Sequence, residues 1–181
     1  MRVRLQHALV CVALGAFAAL SRAQTTSSSS LVVSMTVQSS ISLEFVNVSG
    51  AGTQGTCSIT GANTSTASVN FGIASIAGDN QSCVSFAKNG PNYTLSNNIY
   101  ALVTQSNLSS SNYSLTASLG TAPPTGVTWT INSAALSTAS TSLTTGGSYG
   151  SNYAMYLQVT VAGTAATGNI GTTINLTATA N

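Results

Sequence analysis

Apolar and polar residues alternate along positions 31–45. The odd positions read Leu31, Val33, Met35, Val37, Ser39, Ile41, Leu43 and Phe45, and the even ones are mostly Ser, Thr, Gln and Glu. A period of two puts one apolar face on an extended chain. About 15 residues would reach roughly 50 Å if straight, longer than most sandwich strands. The run therefore predicts two strands, Leu31–Val37 and Ile41–Val48, broken at Gln38-Ser39-Ser40 and free to join different sheets.

Similar alternation predicts strands at Ala67–Ile73, Ser82–Ala87, Ile99–Gln105, Tyr113–Leu119, Val127–Asn132, Tyr153–Val161 and Ile170–Ala180. Turn signals separate several of them: Gly50-Ala51-Gly52, Asn89-Gly90-Pro91, Pro123-Pro124-Thr125-Gly126 and Gly146-Gly147. No segment keeps a helical period. Thr and Val favour strands, Ser, Asn and Gly favour turns, and the usual surface helix formers Lys, Glu and Arg are nearly missing. The expectation is an all-β chain, an immunoglobulin-like β-sandwich with an N-terminal strand of donor type.

The ends refine this organisation. Arg2, Arg4 and His7 precede an apolar run from Ala8 to Leu20, followed by Ser21-Arg22-Ala23. That is the pattern of a secretory signal peptide cleaved after Ala23, and the run is too short for a membrane span, which needs about 20 apolar residues. Residues 1–23 are read as leader, 24–40 as an extension holding the donor-type strand, and 41–181 as the sandwich domain. The location expected is secreted and extracellular, with no membrane span in the mature form.

Losing the leader changes the chemistry available. Residues 24–181 keep one Lys (Lys88), one Glu (Glu44) and one Asp (Asp79), with no Arg or His, a formal charge of −1. General acid–base catalysis, hydrolytic metal sites and activated nucleophiles draw on these residue types, so the composition argues against an enzyme and offers no cofactor or metal site. The many serines have no base to take a proton, two carboxylates cannot build a calcium site, and there is no basic patch for nucleic acid.

Cys11 falls in the leader, which leaves Cys57 and Cys83 as the only pair in an exported product. A disulfide is the default reading.

Other signals carry less. Asn-X-Ser/Thr triplets at Asn47, Asn63, Asn80, Asn92, Asn107, Asn112 and Asn175 are close to what this composition produces by chance. Lys88 beside Asn89-Gly90 reads as a solvated residue at a hairpin turn, ahead of an isopeptide cross-link involving Glu44. Trp129 alternates with Val127 and Ile131 and reads as core, whereas Tyr156, of opposite parity to Met155 and Leu157, reads as outward-facing.

The order of features resembles the spore coat U and archaic chaperone–usher pilin group: an alternating segment, a first cysteine, Val69-Asn70-Phe71-Gly72 as a strand end, a second cysteine, several strands, and a closing strand over Gly168-Asn169-Ile170-Gly171-Thr172-Thr173-Ile174-Asn175-Leu176-Thr177. In that family the subunit lacks its last strand, and the N-terminal extension of the next subunit fills the groove. The resemblance implies that Leu31, Val33, Met35 and Val37 enter a neighbour's groove, that identical subunits polymerise into a pilus, fimbria or surface coat, and that a periplasmic chaperone and an outer-membrane usher assist. The chain departs from the group at its end, Ala178-Thr179-Ala180-Asn181, where an aromatic residue is common.

Read from the residues alone, a strand with one apolar face covers a sheet edge, either in its own subunit or in another, and the sequence does not separate the two. The alternative function is a monomeric secreted adhesin or carbohydrate-binding module using surface Tyr and Asn side chains.

Overall fold

The computed structural model describes residues 34–36, 38–46, 57, 59–79 and 83–181. The chain divides into two units, Met1–Thr36 and Val37–Asn181. In the first, Ser34, Met35 and Thr36 are described, exposed and outside regular structure.

The second unit carries the described strands: β1 (Ser40–Val46), β2 (Ala74–Ser75), β3 (Gly78–Asp79), β4 (Ser85–Asn89), β5 (Asn92–Ser106), β6 (Tyr113–Leu119), β7 (Val127–Ile131), β8 (Ala134–Ala135), β9 (Thr141–Gly147), β10 (Asn152–Val161) and β11 (Ile174–Ala180). All pair antiparallel, and no helix occurs among the described residues. The chain is all-β and sandwich-like.

The larger sheet runs β1-β5-β10-β7-β8, with β4 also on β5. Strand β5 is its axis. One edge of β5 takes β10 over Tyr93–Leu102, and the other is shared by β4, opposite Asn92–Ser96, and β1, opposite Tyr100–Ser106. The smaller sheet runs β11-β6-β9, and β2 and β3 form a separate ribbon.

Period-two alternation supplies the core between the sheets. Leu95, Ile99, Ala101 and Val103 of β5, Met155, Leu157 and Val159 of β10, and Val127, Trp129 and Ile131 of β7 are buried from one side. Leu115, Ala117 and Leu119 of β6 come from the other. On the outer face of the smaller sheet the intervening positions are Ser114, Thr116 and Ser118 of β6, Asn175, Thr177 and Thr179 of β11, and Ser142 of β9, with Thr177 opposite Thr116 and Thr116 opposite Ser142.

Cys57 and Cys83 form the expected disulfide. Cys57 and Ile59 are both buried in the core, and the fully buried Asn97 of β5 holds the Cys57 main chain: its Oδ1 accepts from the Cys57 N–H at 2.7 Å and its Nδ2 donates to the Cys57 carbonyl at 3.4 Å.

The strands expected at Tyr113–Leu119, Val127–Asn132 and Tyr153–Val161 are present within a residue or two. The expected Ile41–Val48 strand is described as Ser40–Val46, with Val48 outside the described residues. Ser82 is likewise outside them, and β4 runs on to Asn89.

Four differences have physical causes. No strand forms over Ala67–Ile73: the Asn70 side chain accepts from the Gly72 N–H at 2.8 Å, Gly72 takes φ 75°, and Ser68 pairs with Thr60 alone. The closing strand begins at Ile174, not Ile170, after an irregular stretch that includes Gly168 and Gly171. Strand β5 begins at Asn92, well before the expected Ile99, and the Asn97 amide inside it is satisfied in the core by Cys57. Strand β9 holds Gly146-Gly147, which the sequence presents as a turn; Gly147 lies against the Tyr113 ring, where a Cβ would overlap it.

Two hairpins are tight. Gly90-Pro91 joins β4 to β5 with Gly90 at φ 61°, the positive value a type II′ turn needs at its first position. Asn132-Ser133 joins β7 to β8 with both residues at positive φ, 49° and 69°, as in a type I′ turn.

An open groove as the candidate functional site

The two sheets are unequal, and the consequence falls on β1 and β11. Strand β1 is bonded to β5 and β11 to β6, and among the described residues no strand lies between them. At one end the gap is closed: Ile41, Leu43, Leu176 and Ala178 pack around the buried Val103, Tyr113 and Leu115. Towards Phe45 and Ile174 it opens into a groove of about 470 Å³.

The floor of the groove is inner face of the larger sheet, Ile99, Leu157 and Trp129, with Ile59 beside them. Its walls are Leu43 and Phe45 of β1 and Ile174 and Leu176 of β11. Ser65, Thr66, Ser68, Thr172, Thr173 and Asn175 add hydroxyl and amide groups to its lining. An apolar floor with polar groups in its lining is what a segment with one greasy face and one hydroxyl face would fill.

Burial along β11 shows the same incompleteness. On β6 every inward side chain is buried, whereas Ile174, Leu176, Ala178 and Ala180 of β11 are only half-buried, although their parity aims them inward. Among the described residues strand β11 is bonded on the β6 side, where the Gly120 N–H donates to the Thr173 carbonyl at 2.8 Å and the Asn181 N–H to the Asn112 carbonyl at 3.1 Å. Its other edge is a row of main-chain groups with no strand partner among the described residues.

Trp129 sits at the base of this opening. It is 7% exposed, its Nε1 is buried without a hydrogen-bond partner among the described residues, and Phe71 stacks on its ring at 6.3 Å between centroids. At the closed end Tyr113 is buried against Tyr149, 5.4 Å between centroids. Burial raises the Tyr113 pKa above its ordinary value, and Tyr153 and Tyr149 add to the shift.

Of the residues expected to form a donor strand, Leu31, Val33 and Val37 lie outside the described residues; Met35 is 82% exposed. Of the tyrosines on β10, the Tyr156 hydroxyl lies 2.7 Å from that of Ser96, and the Tyr153 hydroxyl donates to the Leu143 carbonyl at 2.9 Å. Lys88 is exposed one residue before the β4–β5 turn and pairs across to Tyr93. Among the described residues no three His, Cys, Asp or Glu side chains gather.

Sequence reasoning names the strands that wall the groove but not the groove itself. The signal was present in the unequal partners of Leu43 and Leu176, which only the pairing order reveals. No protein-family model, curated protein or solved structure matches this chain.

Proposed function

We propose that this chain is a structural subunit of an extracellular fibre or surface coat, an immunoglobulin-like sandwich joined to its neighbour by donor-strand exchange. The observation that carries the reading is the groove between β1 and β11, bordered by a β11 edge with no strand partner among the described residues and by half-buried inward side chains. The occupant is segment 31–37 of a second copy. Its odd positions, Leu31, Val33, Met35 and Val37, match the apolar floor, and its even positions, Val32 apart, match the hydroxyl and amide groups of the lining.

Burying four such side chains contributes about 1.5–3 kcal/mol each before ordering costs, with main-chain pairing to β11 added. The donation in this reading is to a second copy. The Gln38 carbonyl accepts from Asn107 Nδ2 at 3.2 Å, which keeps the chain in line with β1 beyond Ser40.

The leader pattern, the disulfide and the near-absence of ionisable groups suit an exported building block, as does the resemblance to spore coat U and archaic chaperone–usher pilins, with identical subunits as partners and a periplasmic chaperone and usher as helpers. Sizing and electron microscopy of the exported protein test the reading. Ladders or fibres are expected from the native chain, and monomers with intact strand content from chains lacking Leu31–Val37 or carrying Val33→Asp with Met35→Asp. Unchanged assembly by those variants would overturn it.

A further inference from the structure

We infer that Asn89 is a site of self-modification, at which the exposed β4–β5 turn converts a neutral amide into a carboxylate with water as co-reactant. The chain has 15 asparagines, and Asn89 is the one followed by glycine. In the step, the Gly90 main-chain nitrogen loses its proton and attacks Asn89 Cγ, the bond from Cγ to the side-chain nitrogen breaks, and ammonia leaves. Water then opens the cyclic imide at either carbonyl, which gives aspartate or isoaspartate. Nothing is oxidised or reduced: a water is taken up for each ammonia released.

The turn leaves the reacting groups open. Asn89 and Gly90 are both exposed, and a Cβ built on Gly90 would meet nothing within 4 Å, so nothing crowds the attacking nitrogen. The closing pair of the hairpin is Asn89 with Asn92, which puts the Gly90 N–H in the two-residue loop, outside the ladder. Glycine also leaves the torsions around that nitrogen broad. Other asparagines are tied down. Asn97, Asn132 and Asn181 are held by their side-chain hydrogen bonds, whereas Asn89 has none among the described residues. On the far arm of the same turn Asn92 accepts from the Gly163 N–H at 3.2 Å and Gly163 lies close against Pro91, so that arm is anchored while the Asn89 arm is open.

The consequence is large for so uncharged a chain. Residues 24–181 carry a formal charge of −1, and one more carboxylate, next to Lys88, takes it to −2. Isoaspartate also adds a carbon to the main chain at the end of β4, which is bonded to β5 among the described residues, and so loosens the Asn89–Asn92 pair.

The test holds the folded chain, native or Asn89→Gln, in warm, mildly alkaline buffer. Peptide mass spectrometry follows which asparagines become acids, and ion exchange follows the more acidic species. Asn89 is expected to convert first, with isoaspartate among the products. Asn89→Gln should slow the appearance of the acidic species by roughly tenfold or more, because glutamine has to close a larger, less favoured ring. The native chain unfolded in urea separates the turn from the bare sequence. A folded chain that keeps Asn89 intact while the unfolded one converts it would overturn the site. So would aspartate without isoaspartate at that position, or another asparagine converting first.

Discussion

Asn97 holds Cys57 by both main-chain groups, accepting from its N–H and donating to its carbonyl, in the interior of the sandwich. The amide does for the Cys57 main chain what a neighbouring strand does elsewhere in a sheet. Replacing it with Leu strands a buried N–H and a buried carbonyl, and Asn97→Leu should cost about 2–4 kcal/mol. Urea unfolding of the oxidised monomer measures it; a loss under about 0.5 kcal/mol would mean that water or another group takes over.

The Cys57–Cys83 bridge spans 26 positions. Closing such a loop removes unfolded-state entropy worth about 3.5 kcal/mol on the chain-entropy account. The Cys57→Ser, Cys83→Ser pair should lower the unfolding free energy by that order without changing the strand content seen by circular dichroism.

Ser133 holds φ 69° in the two-residue turn between β7 and β8, a conformation costly for a residue with a Cβ. Ser133→Gly should therefore stabilise the fold by about 0.5–1 kcal/mol, visible as a higher midpoint in denaturant. Asn132→Gly should not match it, because Asn132 accepts from the Tyr156 N–H at 2.8 Å and donates to the Ala154 carbonyl at 3.0 Å.

Tyr113 predicts an alkaline limit. Its pKa is raised in the fold by burial first and by Tyr153 and Tyr149 after it. The folded state holds the proton that the unfolded chain releases near pH 10. Stability from this group is complete below that pH and is lost as pH rises towards the folded pKa. Tyr113→Phe should flatten the decline, and a native chain equally stable at neutral pH and above pH 10 would contradict the assignment.

Leu176 separates the monomer from the joint. It is half-buried at the groove wall, so Leu176→Ala should cost the isolated subunit about 1 kcal/mol, below the roughly 2–5 kcal/mol of a fully buried leucine. The assembled form, with the groove filled, should lose more. Equal losses in both states would place the joint elsewhere.

Much of the sandwich is legible in the sequence because the side-chain period is a local property. Tyr113–Leu119 and Tyr153–Val161 carry unbroken alternation, and both form where expected. Failures occur where a residue's environment is supplied from far along the chain. Asn97, of a type depleted in strands, is held in β5 by its bonds to Cys57, and Gly147 reads as a turn until the Tyr113 ring covers it. Asn132-Ser133 lacks the glycine that marks most turns of its type, so β8 was invisible. The groove was hidden for a related reason: alternation in β1 and β11 tells that each has an apolar side, not that no described strand separates them.

The outer face of the smaller sheet, Ser114, Thr116, Ser118, Ser142, Asn175, Thr177 and Thr179, bears no ionised group. Proteins ordinarily stay apart in solution partly through like charge, and this surface exerts no such push at any salt concentration. Copies brought side by side meet hydroxyl to hydroxyl, with water as the sole material to displace. For a molecule present at high local density, crowding on that face carries no Coulomb penalty, and neither brine nor fresh water alters the terms.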